Sequence, residues 1–207
     1  FEAITEQGTV ATTFQQTVAQ RTNAVAEKRY GAFYREFNEL DTQAQPFLDS
    51  LDALEHRIIG RTQESYIPDP TLNDIRQTIM LKAKKAEYAA TAAGTLRDEN
   101  GVALQLPHDA QGNPQSLEAF LREAGPVNEQ IVRDLRLTIE EMHGFRSRAL
   151  TEQRVVSQDS PRRPVIRALA GVTDAAMEDI ARQSPEAYRA LRGGVDPTTG
   201  KTVLGLD

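Results

Sequence analysis

Glu140 and His143 stand three residues apart, a spacing that on a helix sets a carboxylate and an imidazole on one face, as in carboxylate-bridged dinuclear metal bundles. That chemistry needs a second Glu-x-x-His pair and two further inward glutamates. The other histidines supply none, because Ala53 stands three residues before His56 and His108 falls among turn residues. Glu36 and Glu39 flank an apolar stripe instead of lying on it. The pair therefore reads as a solvated helix face, and no metal ligand is assigned. Gly200-Lys201-Thr202 after Gly194 has the residue types of a phosphate-binding loop, but five residues separate the glycines where the motif takes four. Only five residues remain after Thr202 for the helix that must follow, so this is read as an ordinary turn.

Covalent catalysis has little to work with. The chain has no cysteine, which excludes thiolate nucleophiles, disulfides and cysteine-based zinc sites. Gly-x-Ser-x-Gly, His-Glu-x-x-His and Gly-x-Gly-x-x-Gly patterns do not occur. Three scattered histidines can always be matched with some serine, so a triad has no sequence signal. Carboxylates such as Glu140-Glu141 read as exposed charge, while an acid pair assembled from distant helices stays open. No catalytic or cofactor-binding residue is assigned.

Two groups of side chains point instead to contact surfaces. Tyr30, Phe33, Tyr34 and Phe37 form the densest aromatic cluster; Tyr30, Phe33 and Phe37 share one stripe and read as core. Tyr34 is displaced around the helix, where its hydroxyl could stay wet at an interface. Arg146, Arg148, Arg154, Arg162, Arg163 and Arg167 face only Glu152 and Asp159 over residues 146–167. The plain reading of this basic patch is a solvated helix end and linker; the sharper one is docking to an acidic partner, nucleic acid or a lipid surface. The possible interface residues are thus Tyr34, Arg146, Arg148, Arg154, Arg162 and Arg163.

The chain that must position these residues has 207 residues and a net charge of −6, with 39% hydrophobic, 6% aromatic and 26% charged residues. Such a balance fits exposed, elongated helices, and the acidity argues against a general nucleic-acid binder. No apolar run reaches the roughly 18 residues that span a bilayer, so the chain reads as soluble and without a membrane span. A start at Phe1 suggests a processed product or a piece of a longer protein.

Apolar residues at Val10, Phe14, Val18, Val25, Tyr30, Phe33, Phe37 and Leu40 predict one long helix over about 9–41, with Gly31 marking a kink or a close helix contact. Pro46 opens a second helix over about 46–59, or kinks one continuous rod. Asp69-Pro70 caps a helix striped by Leu72, Ile75, Ile79, Ala83, Ala86, Ala90 and Ala93 up to Gly94, whose alanine-lined end should pack tightly. The helical period vanishes over 95–115, where Asn100-Gly101 and Gly112-Asn113-Pro114 predict a small β-hairpin or ordered loop. Ser116 starts a short helix. A long stripe from Pro126 through Ile131, Leu135, Ile139, Met142, Phe145 and Ala149 predicts a helix to about Val156.

Residues 157–164, apolar-poor and with two prolines, are the expected linker to a small C-terminal unit over 165–207. There Thr173 and Ser184 are expected helix caps, and the tail turns at Thr199-Gly200 between short extended segments. No repeat of fixed period is apparent. The fold class expected is all-α: a bundle of long amphipathic helices over 1–156, with the 95–115 insertion, then linker and C-terminal unit. The function expected is a non-enzymatic structural or assembly module of a larger bacterial or phage virion protein, binding protein partners or itself. The alternatives are a secreted effector domain that binds a host protein and, third, an enzyme with its site between helices.

Overall fold

The computed structural model describes residues 28–59, 69–123, 125–195, 198–203 and 205–206. The described chain is mostly helical, with two very short antiparallel strand pairs. In order come α1, described over 28–36, β1 (Asp41–Gln43), α2 (Ala44–Ile59), α3 (Pro70–Ala92), α4 (Leu117–Arg122) and α5 (Glu129–Asp134). They are followed by β2 (Arg136–Thr138), α6 (Ile139–Val155), α7 (Arg163–Ala181), α8 (Pro185–Arg192), β3 (Gly194–Val195) and β4 (Thr202–Val203). Asp41–Met177 forms one compact unit; the described parts of 28–40 and 178–206 belong to a second.

Within Asp41–Met177, α2 begins slightly before Pro46, which sits in the first turn where its missing N–H is no loss. The strand β1 directly before it rules out the continuous rod. The α3 helix starts as its residues dictate: Asp69 takes the N-cap, its carboxylate accepting from Thr71 N–H at 2.9 Å and Leu72 N–H at 3.4 Å, with Pro70 in the first turn. Its 23 residues make it the longest described helix, about 34 Å at 1.5 Å per residue. Leu72, Ile75, Ile79 and Ala83 are buried as the stripe requires. Its alanine end departs from expectation. Ala86 and Ala90 are half-buried and Ala93 is exposed, so this end is not packed as closely as the alanine stripe suggests.

The helix expected over about 126–156 is broken. Residues Arg136–Thr138 instead pair with β1 in the register Asp41↔Thr138, Thr42↔Leu137 and Gln43↔Arg136. The apolar residues that suggested a helical stripe also satisfy a period of two: Leu135, Leu137 and Ile139 are all buried. Thr138 then starts α6 with a reciprocal capping box, its hydroxyl accepting from Glu141 N–H at 3.2 Å while Glu141 accepts from Thr138 N–H at 2.8 Å. That Thr-x-x-Glu signature is present in the sequence and marks the break. Around it the core closes on Leu51, Leu72, Ile75, Ile79, Leu137, Ile139, Met142, Ile166 and Leu169, with the Phe47 and Phe145 rings stacked at 6.0 Å. Residues 157–162 make a tight turn, with Ser160 N–H to Ser157 O at 3.1 Å, and α7 starts at Arg163.

Thr173, expected as a cap, lies inside α7 and is fully buried. Its hydroxyl donates back to Leu169 O at 3.1 Å and Ala170 O at 2.9 Å, which satisfies it without a helix end.

In the second unit, most of the helix expected over 9–41 lies outside the described residues. The described α1 ends at 36, and Leu40 is not helical. At Gly31 nothing lies within 4 Å of where a Cβ would stand, so no close helix contact accounts for this glycine. Ser184 caps α8 through Ala187 N–H at 3.2 Å, and Gly193 ends it with φ 80°. The predicted turn at Thr199-Gly200 connects β3 to β4, paired as Gly194↔Val203 and Val195↔Thr202.

Candidate functional site

Three of the arginines singled out in the sequence, Arg146, Arg148 and Arg162, are brought to carboxylates on other elements. Arg162 donates from Nε to Asp69 at 2.8 Å and from Nη2 to Glu152 at 3.4 Å. The Asp69 side chain is only 4% exposed, so this one carboxylate both caps α3 and fixes the turn before α7. The bond to Asp69 holds the Arg162 guanidinium above its ordinary pKa. Arg148 reaches Asp74 at 2.6 Å, and Arg146 reaches Asp174 at 3.0 Å. Arg163 donates to Val156 O at 2.8 Å, where α6 ends. Arg154 and Arg167 are exposed. The arginines named in the sequence therefore divide: four bind helices together and two face outward. Sequence reasoning missed Asp69 and Asp74 as partners because ion pairs between residues about 70 to 90 positions apart leave no local pattern.

Between the start of α3 and α6 lies an open cleft of about 510 Å³, lined by Thr71, Asp74, Ser147, Arg148, Glu152 and Arg162 among others. Its surface alternates guanidinium, carboxylate and hydroxyl groups. On its α6 wall Ser147 Oγ lies 3.3 Å from His143 Nε2. This sets a hydroxyl beside an imidazole. Burial first, and the Arg146 charge second, push the imidazole down to about 4. A base so weak is poorly matched to proton abstraction near neutrality. Glu140, expected beside His143, is exposed. Among the described residues no three histidine, aspartate or glutamate side chains converge as metal ligands would. Lys201 lies just before β4 and Thr202 within it, and no helix follows them among the described residues.

Tyr34 is half-buried and packs within α1's own aromatic cluster: its ring stacks on Tyr30 at 5.9 Å and meets Phe33 edge-on at 5.8 Å. Tyr30 donates to Leu206 O at 3.0 Å and Arg29 to Gly205 O at 3.2 Å. Of the three residues expected in the core, Phe33 is buried, whereas Tyr30 and Phe37 are only half-buried.

The most distinctive surface is the segment over 95–115. It holds two turns of one design, Asp98-Glu99-Asn100-Gly101 and Asp109-Ala110-Gln111-Gly112, eleven positions apart. Each aspartate accepts the N–H two and four residues on: Asn100 at 2.9 Å and Val102 at 2.8 Å, then Gln111 at 2.9 Å and Asn113 at 2.8 Å. Each glycine donates its N–H to the aspartate carbonyl at 3.0 Å and takes positive φ, 78° at Gly101 and 80° at Gly112. Single bridges, Arg97↔Ala103 and His108↔Pro114, close the two turns. The Asn113 backbone bond holds the Asp109 carboxyl below its usual range. Leu96 alone of this segment is buried; Val102 is 61% exposed. The Tyr88 hydroxyl ties its end down by donating to Gln115 O at 3.1 Å. The repeated Asp-x-[Asn/Gln]-Gly was the signal that the sequence offered for this pair.

No described helix is long and apolar enough to cross a membrane. No family model matches this sequence, and comparison with curated proteins and with solved structures returns no match.

Proposed function

We propose that this chain is a non-enzymatic helical assembly module that binds protein through the exposed arm over 95–115, with its longer helices acting as a bundle that holds the arm. The observation that carries the reading is an arm ordered by its own hydrogen bonds although it contributes only Leu96 to the buried interior. Connections longer than about 12–15 residues without secondary structure of their own are uncommon and are usually either functional or disordered linkers, and this one is ordered. Aspartate clamps set the shape of both turns in advance, so binding loses little conformational freedom. The arm has one arginine against three carboxylates, which suits a basic partner surface. A neighbouring copy offers such a surface in the exposed Arg154 and Arg167.

Light scattering over a concentration series tests this directly. Association is expected to rise with concentration, weaken with added salt as exposed charges are screened, and fall in Val102→Glu and in Arg154→Glu/Arg167→Glu. A strictly monomeric chain at every concentration, together with no protein captured by the immobilised chain, overturns the reading.

A further inference from the structure

We infer that Asn100 is a site of spontaneous deamidation and isoaspartate formation, and that the Asp98 carboxylate sets its rate. The chain contains one Asn-Gly dipeptide, at Asn100-Gly101, and both residues are exposed. The following glycine imposes no side chain on the reaction, and nothing lies within 4 Å of where its Cβ would be. The backbone nitrogen of Gly101, once deprotonated, attacks Asn100 Cγ; the Cγ–Nδ2 bond breaks and ammonia leaves, closing a five-membered succinimide. Water then opens either carbonyl. Cleavage of the bond from the ring nitrogen to Cγ gives aspartate, and cleavage of the bond to the backbone carbonyl gives isoaspartate. The sum is one side-chain amide plus water to one carboxylate plus ammonium, with no oxidant or reductant.

Two bonds of the turn oppose ring closure. Gly101 N–H, the nucleophile, is donated to Asp98 O at 3.0 Å, and Asn100 N–H is held by Asp98 Oδ1 at 2.9 Å. The turn must therefore open before the nitrogen can reach Cγ, and the same carboxylate that holds Val102 N–H at 2.8 Å resists that opening. The second turn is an internal comparison. Gln111-Gly112 has the same fold, the same clamp and the same positive φ, but a glutamine must close a six-membered ring, which is far slower. Conversion at Asn100 adds a carboxylate beside Asp98 and Glu99. The isoaspartate product also lengthens the backbone by one methylene inside the Arg97↔Ala103 bridge.

The test is incubation of the full chain at mildly alkaline pH and 37 °C, read by peptide mapping for isoaspartate and for a gain of one mass unit. The expected result is product confined to Asn100, faster at higher pH, absent in Asn100→Gln, undetected at Gln111, and several-fold faster in Asp98→Ala. Two results overturn the inference. In the first, Asn100 stays intact in the folded chain while a synthetic peptide spanning 96–104 converts. In the second, the native chain and Asp98→Ala convert at equal rates, which removes the clamp from control. Both variants change exposed turn residues, and circular dichroism confirms that the helices remain.

Discussion

Asp69 carries two tasks at once in the Asp41–Met177 unit, because it satisfies two N–H groups at the start of α3 and pairs with Arg162. A lost N-cap costs about 1 kcal/mol. Stripping one partner from a fully buried pair costs about 3–5 kcal/mol, but the Arg162 side chain is 39% exposed and can rehydrate, so the pair counts for less. Asp69→Ala is therefore expected to lose about 2–3 kcal/mol in urea unfolding, and Asp69→Asn, which keeps the cap, clearly less. His143 gives a second residue-scale prediction. In the folded chain its pKa lies at about 4 against 6.5 unperturbed, so between those values the unfolded chain binds the extra proton. Stability contributed by the neutral imidazole is full above pH 6.5 and declines as pH falls toward 4. The urea midpoint of the native chain should drop between about pH 7 and about pH 5, and His143→Gln should flatten that drop. Equal slopes would show that His143 does not govern this window.

At the scale of elements, α6 depends on the Thr138–Glu141 box. Thr138→Ala should cost about 1 kcal/mol as a lost cap. Glu141→Ala should cost more, because Glu141 also receives Lys82 at 2.7 Å. A Thr138→Ala chain as stable as the native one would remove the box as the reason α6 starts there. The arm makes its own prediction at acid pH. The Asp109 carboxyl is held below its usual range, so its ordering effect is present above the unfolded value and is lost as pH falls through the folded one. Amide exchange of Gln111 and Asn113 should accelerate there ahead of α3.

Local signals in the sequence account for α3, α4 and α8. Asp69, Ser116 and Ser184 each hold the cap that their position suggests. The break at Leu135–Thr138 was obscured because Leu135 and Ile139 fit a helical spacing and a strand spacing at once; pairing with β1 decides between them. Thr173 misled in the opposite direction, since a threonine that back-bonds within a helix has the same residue type as a cap. Of the candidate surfaces, the sequence shows the arginines but not the carboxylates that take up three of them or the Val156 carbonyl that takes up Arg163. Both turns were legible, at Asn100-Gly101 and at Gly112-Asn113-Pro114, whereas their common aspartate clamp shows only in the pair of N–H groups that each aspartate accepts.

For the molecule as a whole, helices α2, α3, α6 and α7 supply most of the buried apolar side chains of the Asp41–Met177 unit, and the arm projects its polar turns from that frame. Positioning of a preformed surface by a packed helical body is the physical content of the proposed function. Site-specific photo-crosslinking from position 102, with position 81 on α3 as the comparison, tests it most directly; both side chains are exposed, Val102 at 61% and Leu81 at 46%. The account predicts a covalent adduct from position 102 to the basic face of a second copy or another protein, suppressed by salt and by Asp98→Ala/Asp109→Ala. Equal yields from the two positions, or no adduct from position 102 at any concentration, would contradict it.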